Sequence, residues 1–572
     1  MGLGIRVEVL QKEKIPPSSP TPQHLKTTNL SVFDQLIPDV YVPILLFYPN
    51  NTSDHDIDEI CKLLKTSLSE TLTHFYPFAG KYQCNDSIRC NDHGAAFLEA
   101  QVNCPMSKIL EKPDFGMLKQ LLPADMGSRQ ADPSYLVQVQ ANFFECGGMA
   151  IGVCISHKVA DASTISKFIT SWAAASLGTV STTDQVVLPA ADFGAAASLL
   201  PPLGFLNSPL PIVEFAKEKW TTRRIVFDAS KIAALKCKAA TAILPKPTRV
   251  EVLSALIWKC ATESSRSKLG SIRPSAWLPF VNMRKVLVQP LAEKFEGNFF
   301  GVFAAKTEVN EDDDDEDVQT LAAKLRKGIE EFKVRYSNGV SGDDPCEFFQ
   351  EFGSLMDGSD GDAYSCSSWC RFPFYTVDFG WGKPSWVTQC MEFKNMIVLT
   401  DTRDGDGVEA SLTLNEEVMA IFESNKELLA YASLNPSSLV HAFLLSLLIR
   451  KPTVLSHSYL PLVHACDSPT VVQVRLCTLC RQMVKYVAGL SRESVIDVEG
   501  LVGFLLSEGF REIHTPKVNA GSSEGGAAVF TLDYKGQPAF LAQSPQLHKQ
   551  MAICVNLLVL MLKWRSTCTI LR

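Results

Sequence analysis

The 572-residue chain has no long apolar run. Its two most apolar stretches, residues 439–449 and 553–562, are too short for a bilayer, which takes about 20 residues to cross as a helix. The opening Met1-Gly2-Leu3-Gly4-Ile5-Arg6 lacks the apolar core of a secretory signal, and Arg6 stands where a myristoylation signal wants Ser or Thr. Residues 569–572 form no prenylation box. No membrane partner is expected, and the location expected is cytoplasmic. Positive charge is also scarce. The formal net charge is −8, and residues 311–317 are all Asp or Glu, so the remainder is nearly neutral. Binding phosphates takes a basic field, so no nucleic acid is expected as a partner. The acidic run reads as a solvated loop, not a metal site. Regular cysteine spacing is missing as well. Seventeen cysteines without a secretory signal read as reduced, buried thiols. Cys477-x-x-Cys480 has no second pair at zinc-finger spacing, so no metal is expected.

What is present is ordinary globular composition, 46% hydrophobic and 20% charged, in a chain too long for one core. A Pro/Ser segment, residues 16–22, can only be extended or turning. Asp54 is a fitting N-cap for a helix whose buried face is Ile57, Ile60, Cys61, Leu64 and Leu68. Residues 135–144 alternate as a half-buried strand, and 149–156 alternate again. A helix follows, with Ile165, Phe168, Ile169 and Trp172 on one face. Periodicity fades between residues 177 and 211, the best candidate for a domain crossover. It resumes in a strand at 224–227. Thr248 and Glu251 then make a capping box that opens a helix through Leu256 and Trp258. Residues 396–400 and 408–414 read as antiparallel strands joined by a turn containing Asp404-Gly405 and Asp406-Gly407. The mixture predicts α/β or α+β architecture in two halves, ending near Ser437.

Two segments carry chemistry. In Ser156-His157-Lys158-Val159-Ala160-Asp161, the H-x-x-x-D spacing alone is a weak signal, but its setting is better. His157 ends a strand and Asp161 begins a helix. Alternation turns Ser156 and Cys154 away from His157, so neither is a nucleophile for it to activate. His157 is placed to act alone as a general base, since an imidazole with pKa about 6.5 is substantially neutral near pH 7. Asp161 occupies an N-cap position, and an orienting role suits it better than proton transfer. The second segment is Asp378-Phe379-Gly380-Trp381-Gly382-Lys383-Pro384. Bare Asp-Phe-Gly also occurs at 114–116 and 192–194, and a kinase reading fails because the chain has no H-R-D loop and no Gly-rich phosphate loop.

With these two segments, residues 4–436 resemble the BAHD family of plant acyl-CoA-dependent acyltransferases. The resemblance extends to residues 17–22, Leu30-Ser31 with Asp34, Tyr76-Pro77-Phe78-Ala79-Gly80, Val281-Asn282-Met283-Arg284, Gly297-Asn298 and residues 369–375. It looks most like the branch of acetyltransferases acting on alkaloids and terpenoids. The resemblance implies an α/β fold of two chloramphenicol-acetyltransferase-like domains, residues 1–195 and 196–436, with a channel between them. It implies an acyl-CoA, here acetyl-CoA, as co-substrate, a small-molecule alcohol as acceptor, no bound cofactor and a monomer. His157 would deprotonate the acceptor hydroxyl as it attacks the thioester. Asp161 would turn away and pair with Arg284. Asp378 is sometimes treated as catalytic in such enzymes, but an anchoring role fits better here, with Gly380, Trp381 and Gly382 as structural support. Ser254 and Asn298 would lie near the CoA.

Residues 437–481 resemble nothing nameable. Residues 482–554 resemble fragments of cytosolic aspartyl-tRNA synthetase, through Leu490-Ser491-Arg492-Glu493-Ser494, Glu512-Ile513-His514-Thr515-Pro516-Lys517 and residues 542–550. The arginine motifs that bind ATP do not follow, so residues 482–572 read as an incomplete α+β fragment unable to activate an amino acid. The expected function is acyl-CoA-dependent O-acylation of a plant specialised metabolite. The rival is a non-enzymatic chimera whose tail disables the acyltransferase or serves as a binding module.

Overall fold

The structure is a computed structural model. It describes residues 5–49, 56–123, 134–180, 192–206, 219–288, 295–307, 316–341, 344–357 and 361–438, and short strands between 511 and 571. Asp54, most of the acidic run, the apolar stretch at 439–449 and Cys477-x-x-Cys480 lie outside the described residues. The chain divides into two compact units, residues 1–445 and 446–572.

The first unit is built on two large sheets. One runs Val7–Ile15, Ala95–Val102, Val137–Phe144, Met149–Ser156, Tyr41–Tyr48, Trp386–Thr388 in spatial order. Only the Ala95–Val102 and Val137–Phe144 pair is parallel. Helices Ile57–His74 and Ala162–Val180 share its core, Leu64, Leu68 and Leu72 meeting Phe168 and Trp172. The second sheet runs Phe300–Val302, Ser275–Asn282, Asp362–Ser368, Met396–Asp401, Val408–Asn415, Trp220–Phe227, Ser433–Leu434. Helices Arg249–Leu269 and Val318–Tyr336 complete its core. Among the described residues no helix is long and apolar enough to cross a membrane.

Local expectations hold where the signal is local. Thr248 and Glu251 form the capping box, and Met396–Asp401 pairs antiparallel with Val408–Asn415. Three readings change. The first long helix starts at Ile57 with Asp56 in the N-cap position and no side-chain cap. The strand at 137–144 is buried along its whole length rather than half-buried. Two of its polar side chains misled the alternation reading because they are satisfied internally: the Asn142 amide donates to the carbonyls of Leu121 and Ala150, and Gln140 donates to the Asn142 side chain. The strand expected at 224–227 is twice as long, Trp220–Phe227. The acidic run ends usefully, since Asp317 caps helix Val318–Tyr336 by accepting from the Thr320 amide at 2.8 Å.

The sheets are not independent in sequence. After Ser368 the chain leaves the second sheet and packs on the first. The 378–382 segment is the centre of this crossing. Asp378 accepts from the amides of Gly380 and Gly382, both at 2.8 Å. Those glycines hold φ of 117° and 98°, a region only glycine occupies without strain. Phe379 is fully buried, 4.8 Å edge-on to Trp172 and stacked with Trp381. Ser176 donates to its carbonyl at 2.7 Å. Strand Trp386–Thr388 then adds to the edge of the first sheet, pairing with Tyr41–Tyr48. From there Trp386 reaches back, its indole N–H donating to Glu409 at 3.1 Å under the Arg224 guanidinium. Arg224 holds Glu409 in a two-pronged ion pair at 2.7 and 2.8 Å.

In the second unit, Arg511–His514 and Val559–Leu560 both pair antiparallel with Cys568–Leu571. Gln537–Leu541 pairs antiparallel with Thr531–Tyr534 and Val518–Asn519.

Because Phe379 fills a closed aromatic nest, Phe379→Ala is expected to destabilise the protein by about 3–5 kcal/mol in denaturant unfolding. A loss under about 1 kcal/mol, the level of an unremarkable surface change, would refute the anchoring role.

Candidate active site

His157 follows strand Met149–Ser156 and is fixed from both sides of its backbone. Its N–H donates to the Val40 carbonyl at 2.8 Å, and its carbonyl accepts from the Asn298 amide nitrogen at 2.6 Å. The Asn298 side chain also meets the ring, with Oδ1 3.0 Å from Nδ1. The orientation of that amide is settled by its other partners. Nδ2 faces two acceptors, the His157 carbonyl and Asp34 Oδ1 at 2.8 Å, so Nδ2 is the NH₂ and Oδ1 is the oxygen. The His157 Nδ1 must then carry the proton, which leaves the Nε2 lone pair for the cavity that His157 lines. Burial pushes the imidazole below its ordinary pKa of 6.5, partly offset by its own backbone carbonyl, Asp161 and Asn298.

Behind Asn298 sits Asp34, a residue the sequence placed only within a shared motif. It accepts from the Asn298 backbone N–H and side chain, both at 2.8 Å, and from the Ser31 N–H and hydroxyl at 2.8 and 2.7 Å. Burial raises its carboxyl from the ordinary 3.8 despite those four donors. It reaches Asn298 across 264 positions of sequence, and no local pattern signals that contact.

Asp161 caps helix Ala162–Val180 through the Thr164 amide at 3.0 Å. Its other oxygen takes Arg284 Nη1 at 2.6 Å and the Phe299 amide at 3.1 Å. Burial works against this carboxylate, yet the Arg284 charge and these hydrogen bonds hold it below the ordinary 3.8. Arg284 also donates to the carbonyls of Phe295 and Gly297 at 2.8 and 2.9 Å. Both Asp161 oxygens are thus engaged by the protein, although the residue lines the cavity, and its pair with Arg284 shapes the loop that delivers Asn298.

The cavity measures about 450 Å³ and draws its walls from both sheets of the first unit. An aromatic arc starts at the histidine. Phe300 lies 6.2 Å from the His157 ring, 5.4 Å from Phe280 and 5.9 Å from Phe349, and Phe280 lies 5.5 Å from Phe352. Residues 37, 38 and 40 line the cavity as well.

The structure thus brings together His157, Asp161, Arg284 and Asn298. It does not bring Asp378 to them: that carboxylate is turned onto its own loop and is absent from the cavity wall. Ser254, expected near CoA, is 2% exposed inside helix Arg249–Leu269 with its hydroxyl 3.9 Å from Cys366 Sγ, and it does not line the cavity. Its helical position put it on the face that packs against the sheet. Asn298, also expected near CoA, commits its whole amide to His157 and Asp34.

Comparison with known proteins agrees with this architecture. The family model described as Transferase family matches residues 5–429. The chain belongs to this family, the BAHD acyltransferases. It is 41% identical to akuammiline synthase 1 of Alstonia scholaris, over 74% of this chain and 97% of that one. It is 37% identical to a limonoid 1-O-acetyltransferase of Citrus sinensis, over 76% and 100%. The crystal structure of vinorine synthase superposes with a TM-score of 0.67 at 33% identity, covering 76% of this chain and all of that one. The protein is therefore an acyltransferase with acyl-CoA as co-substrate, among relatives that acylate alkaloids and terpenoids. A second family model, tRNA synthetases class II (D, K and N), matches residues 473–557, in keeping with the resemblance seen in the tail.

Asp161→Asn would leave the Arg284 guanidinium buried without its counter-charge and is expected to cost about 3–5 kcal/mol in denaturant unfolding. The folded carboxyl titrates below 3.8, so its contribution is complete above that pH and is lost only as pH falls through the lower folded value. Asp161→Asn should remove that part of the acid limb of stability. A variant as stable as wild type, with an unchanged acid limb, would show the pair to be dispensable.

Proposed function

We propose that the protein transfers an acetyl group from acetyl-CoA to a hydroxyl of a plant alkaloid or terpenoid alcohol, with His157 as the general base. The observation that carries this reading is the Nδ1 contact to Asn298, which leaves Nε2 as the basic nitrogen on the cavity wall. Nε2 takes the proton of the acceptor hydroxyl as that oxygen bonds to the thioester carbonyl carbon. The tetrahedral oxyanion collapses, the C–S bond breaks, and the imidazolium returns the proton to the departing CoA sulfur. No acyl-enzyme is needed. Nothing in this scheme uses Asp378 or Ser254, and Asp161 acts by holding Arg284 and the Phe299 amide, which frame Asn298.

The choice of acetyl and of an alcohol follows the name of the limonoid O-acetyltransferase relative. The apolar, aromatic cavity suits a polycyclic skeleton, whose burial is favourable in proportion to its apolar area. We further propose that the protein works as a cytoplasmic monomer and that residues 482–572 take no part in the chemistry, since every residue assigned above lies before 400.

Full-length protein incubated with acetyl-CoA and a panel of alkaloid and terpenoid alcohols should release CoA. Silence with every acceptor, and with other acyl-CoAs, would favour a chimera disabled by its tail. His157→Ala should lower turnover by about 10²–10⁴-fold with the fold retained by circular dichroism. Because the base must be neutral and burial lowers its pKa, the acid limb of kcat/KM should fall below pH 6.5. A midpoint at or above 6.5 would contradict the buried base.

A further inference from the structure

Lys158 follows the catalytic histidine and is itself buried, at 9% exposure. A buried ammonium must find oxygens for its three N–H donors. Lys158 finds three: the Ile37 carbonyl at 2.7 Å, Asn85 Oδ1 at 2.7 Å and the Gln35 carbonyl at 3.4 Å. Gln35 and Ile37 belong to the end of the short helix Val32–Leu36, where backbone carbonyls are left without helical partners and favour a cation.

The location of those carbonyls matters. Residues 37, 38 and 40 form the apolar side of the cavity beside His157. The segment is held at both ends by consecutive residues of the catalytic turn. Lys158 grips it at the Ile37 carbonyl through its side chain, and His157 grips it at the Val40 carbonyl through its backbone. Asn85 extends the clamp, since its amide donates to the Leu206 carbonyl at 2.6 Å and the Gln35 carbonyl at 3.3 Å. Gln35 in turn exchanges hydrogen bonds with the Leu203 backbone, accepting at 2.7 Å and donating at 3.3 Å.

We propose that Lys158 is a positioning residue for the acceptor: it fixes the 37–40 wall relative to His157 and thereby sets which acceptor skeletons fit between that wall and the aromatic arc. This rests on the acyltransferase reading above. The wall is apolar, so it suits the hydrocarbon skeleton of the acceptor rather than the charged parts of CoA. Lys158 holds the far end of the wall, at Ile37, while Asn298 holds the His157 ring and carbonyl separately from the Val40 bond. Loosening the wall at Ile37 therefore acts first on acceptor binding, while the Asn298 contacts keep the His157 ring in place for the chemical step.

The test is a kinetic split in the full-length chain. Lys158→Met is expected to raise the acceptor KM about tenfold while kcat and the KM for acetyl-CoA stay within about twofold. Asn85→Ala, which leaves the catalytic turn untouched, should raise the acceptor KM in the same direction by a smaller factor. If Lys158→Met does not fold, Asn85→Ala decides alone. Unchanged acceptor KM in the folded variants, or a fall in kcat with KM unchanged, overturns the proposal. A wild-type control that releases no CoA with any acceptor overturns the acetyl-transfer reading on which the proposal rests, whereas an active wild type with unchanged acceptor KM in the variants overturns the proposal alone.

Discussion

The candidate site depends on one buried ion pair, Asp161 with Arg284. Asp161 stands at the start of the helix that follows strand Met149–Ser156, and Arg284 follows a strand of the second sheet. Their contact at 2.6 Å joins the two sheets where the cavity lies. Arg284 directs its remaining donors to the carbonyls of Phe295 and Gly297, and Asp161 takes the Phe299 amide. Those bonds fix the backbone on either side of Asn298. Asn298 then defines the His157 tautomer. The acid in H-x-x-x-D thus governs the histidine from four positions away, through a loop well over a hundred residues downstream.

Such a pair is weak evidence for stability as such. Desolvation of two charges offsets much of their attraction, and apolar replacements of similar volume are often as stable. What an apolar pair could not supply is direction. The guanidinium presents a planar fork of donors at fixed angles, and each reaches a defined carbonyl or carboxylate. The same logic recurs at Arg224, which binds Glu409, approaches Trp386 and donates to the Pro436 carbonyl at 2.6 Å. Two arginines therefore join the halves of the unit, one beside the cavity and one behind the exchanged strand.

What was legible in the sequence was local. A histidine ending an alternating run, an aspartate in N-cap position and a capping box four residues long all declare themselves within about one turn of chain. The 378–382 segment was legible as architecture because two glycines beside an acidic residue need a special backbone more than a chemical role. What stayed hidden was long-range. Nothing near Asp34 announces a partner 264 positions away, and nothing in Trp386–Thr388 shows that it joins the first sheet instead of the second. Ser254 and Asn298 were read by position in a pattern, and only packing distinguishes a side chain facing a substrate from one facing a sheet or a histidine. The alternation at 137–144 misled for the same reason, since polar residues can line a buried face when neighbouring carbonyls satisfy them.

Hydrogen bonds hold the last described residues of the first unit in place. Strand Ser433–Leu434 pairs on the edge of the second sheet, and the chain then crosses to the first half. Asn435 donates to the Pro113 carbonyl at 2.8 Å, and the Ser438 amide to the Leu110 carbonyl at 2.7 Å. These bonds tie residues 433–438 to both halves of the unit. The ion pairs, the aromatic arc and the histidine are all enclosed before that point. The bonds around His157 all come from residues of the first unit, and they explain how its ring is held.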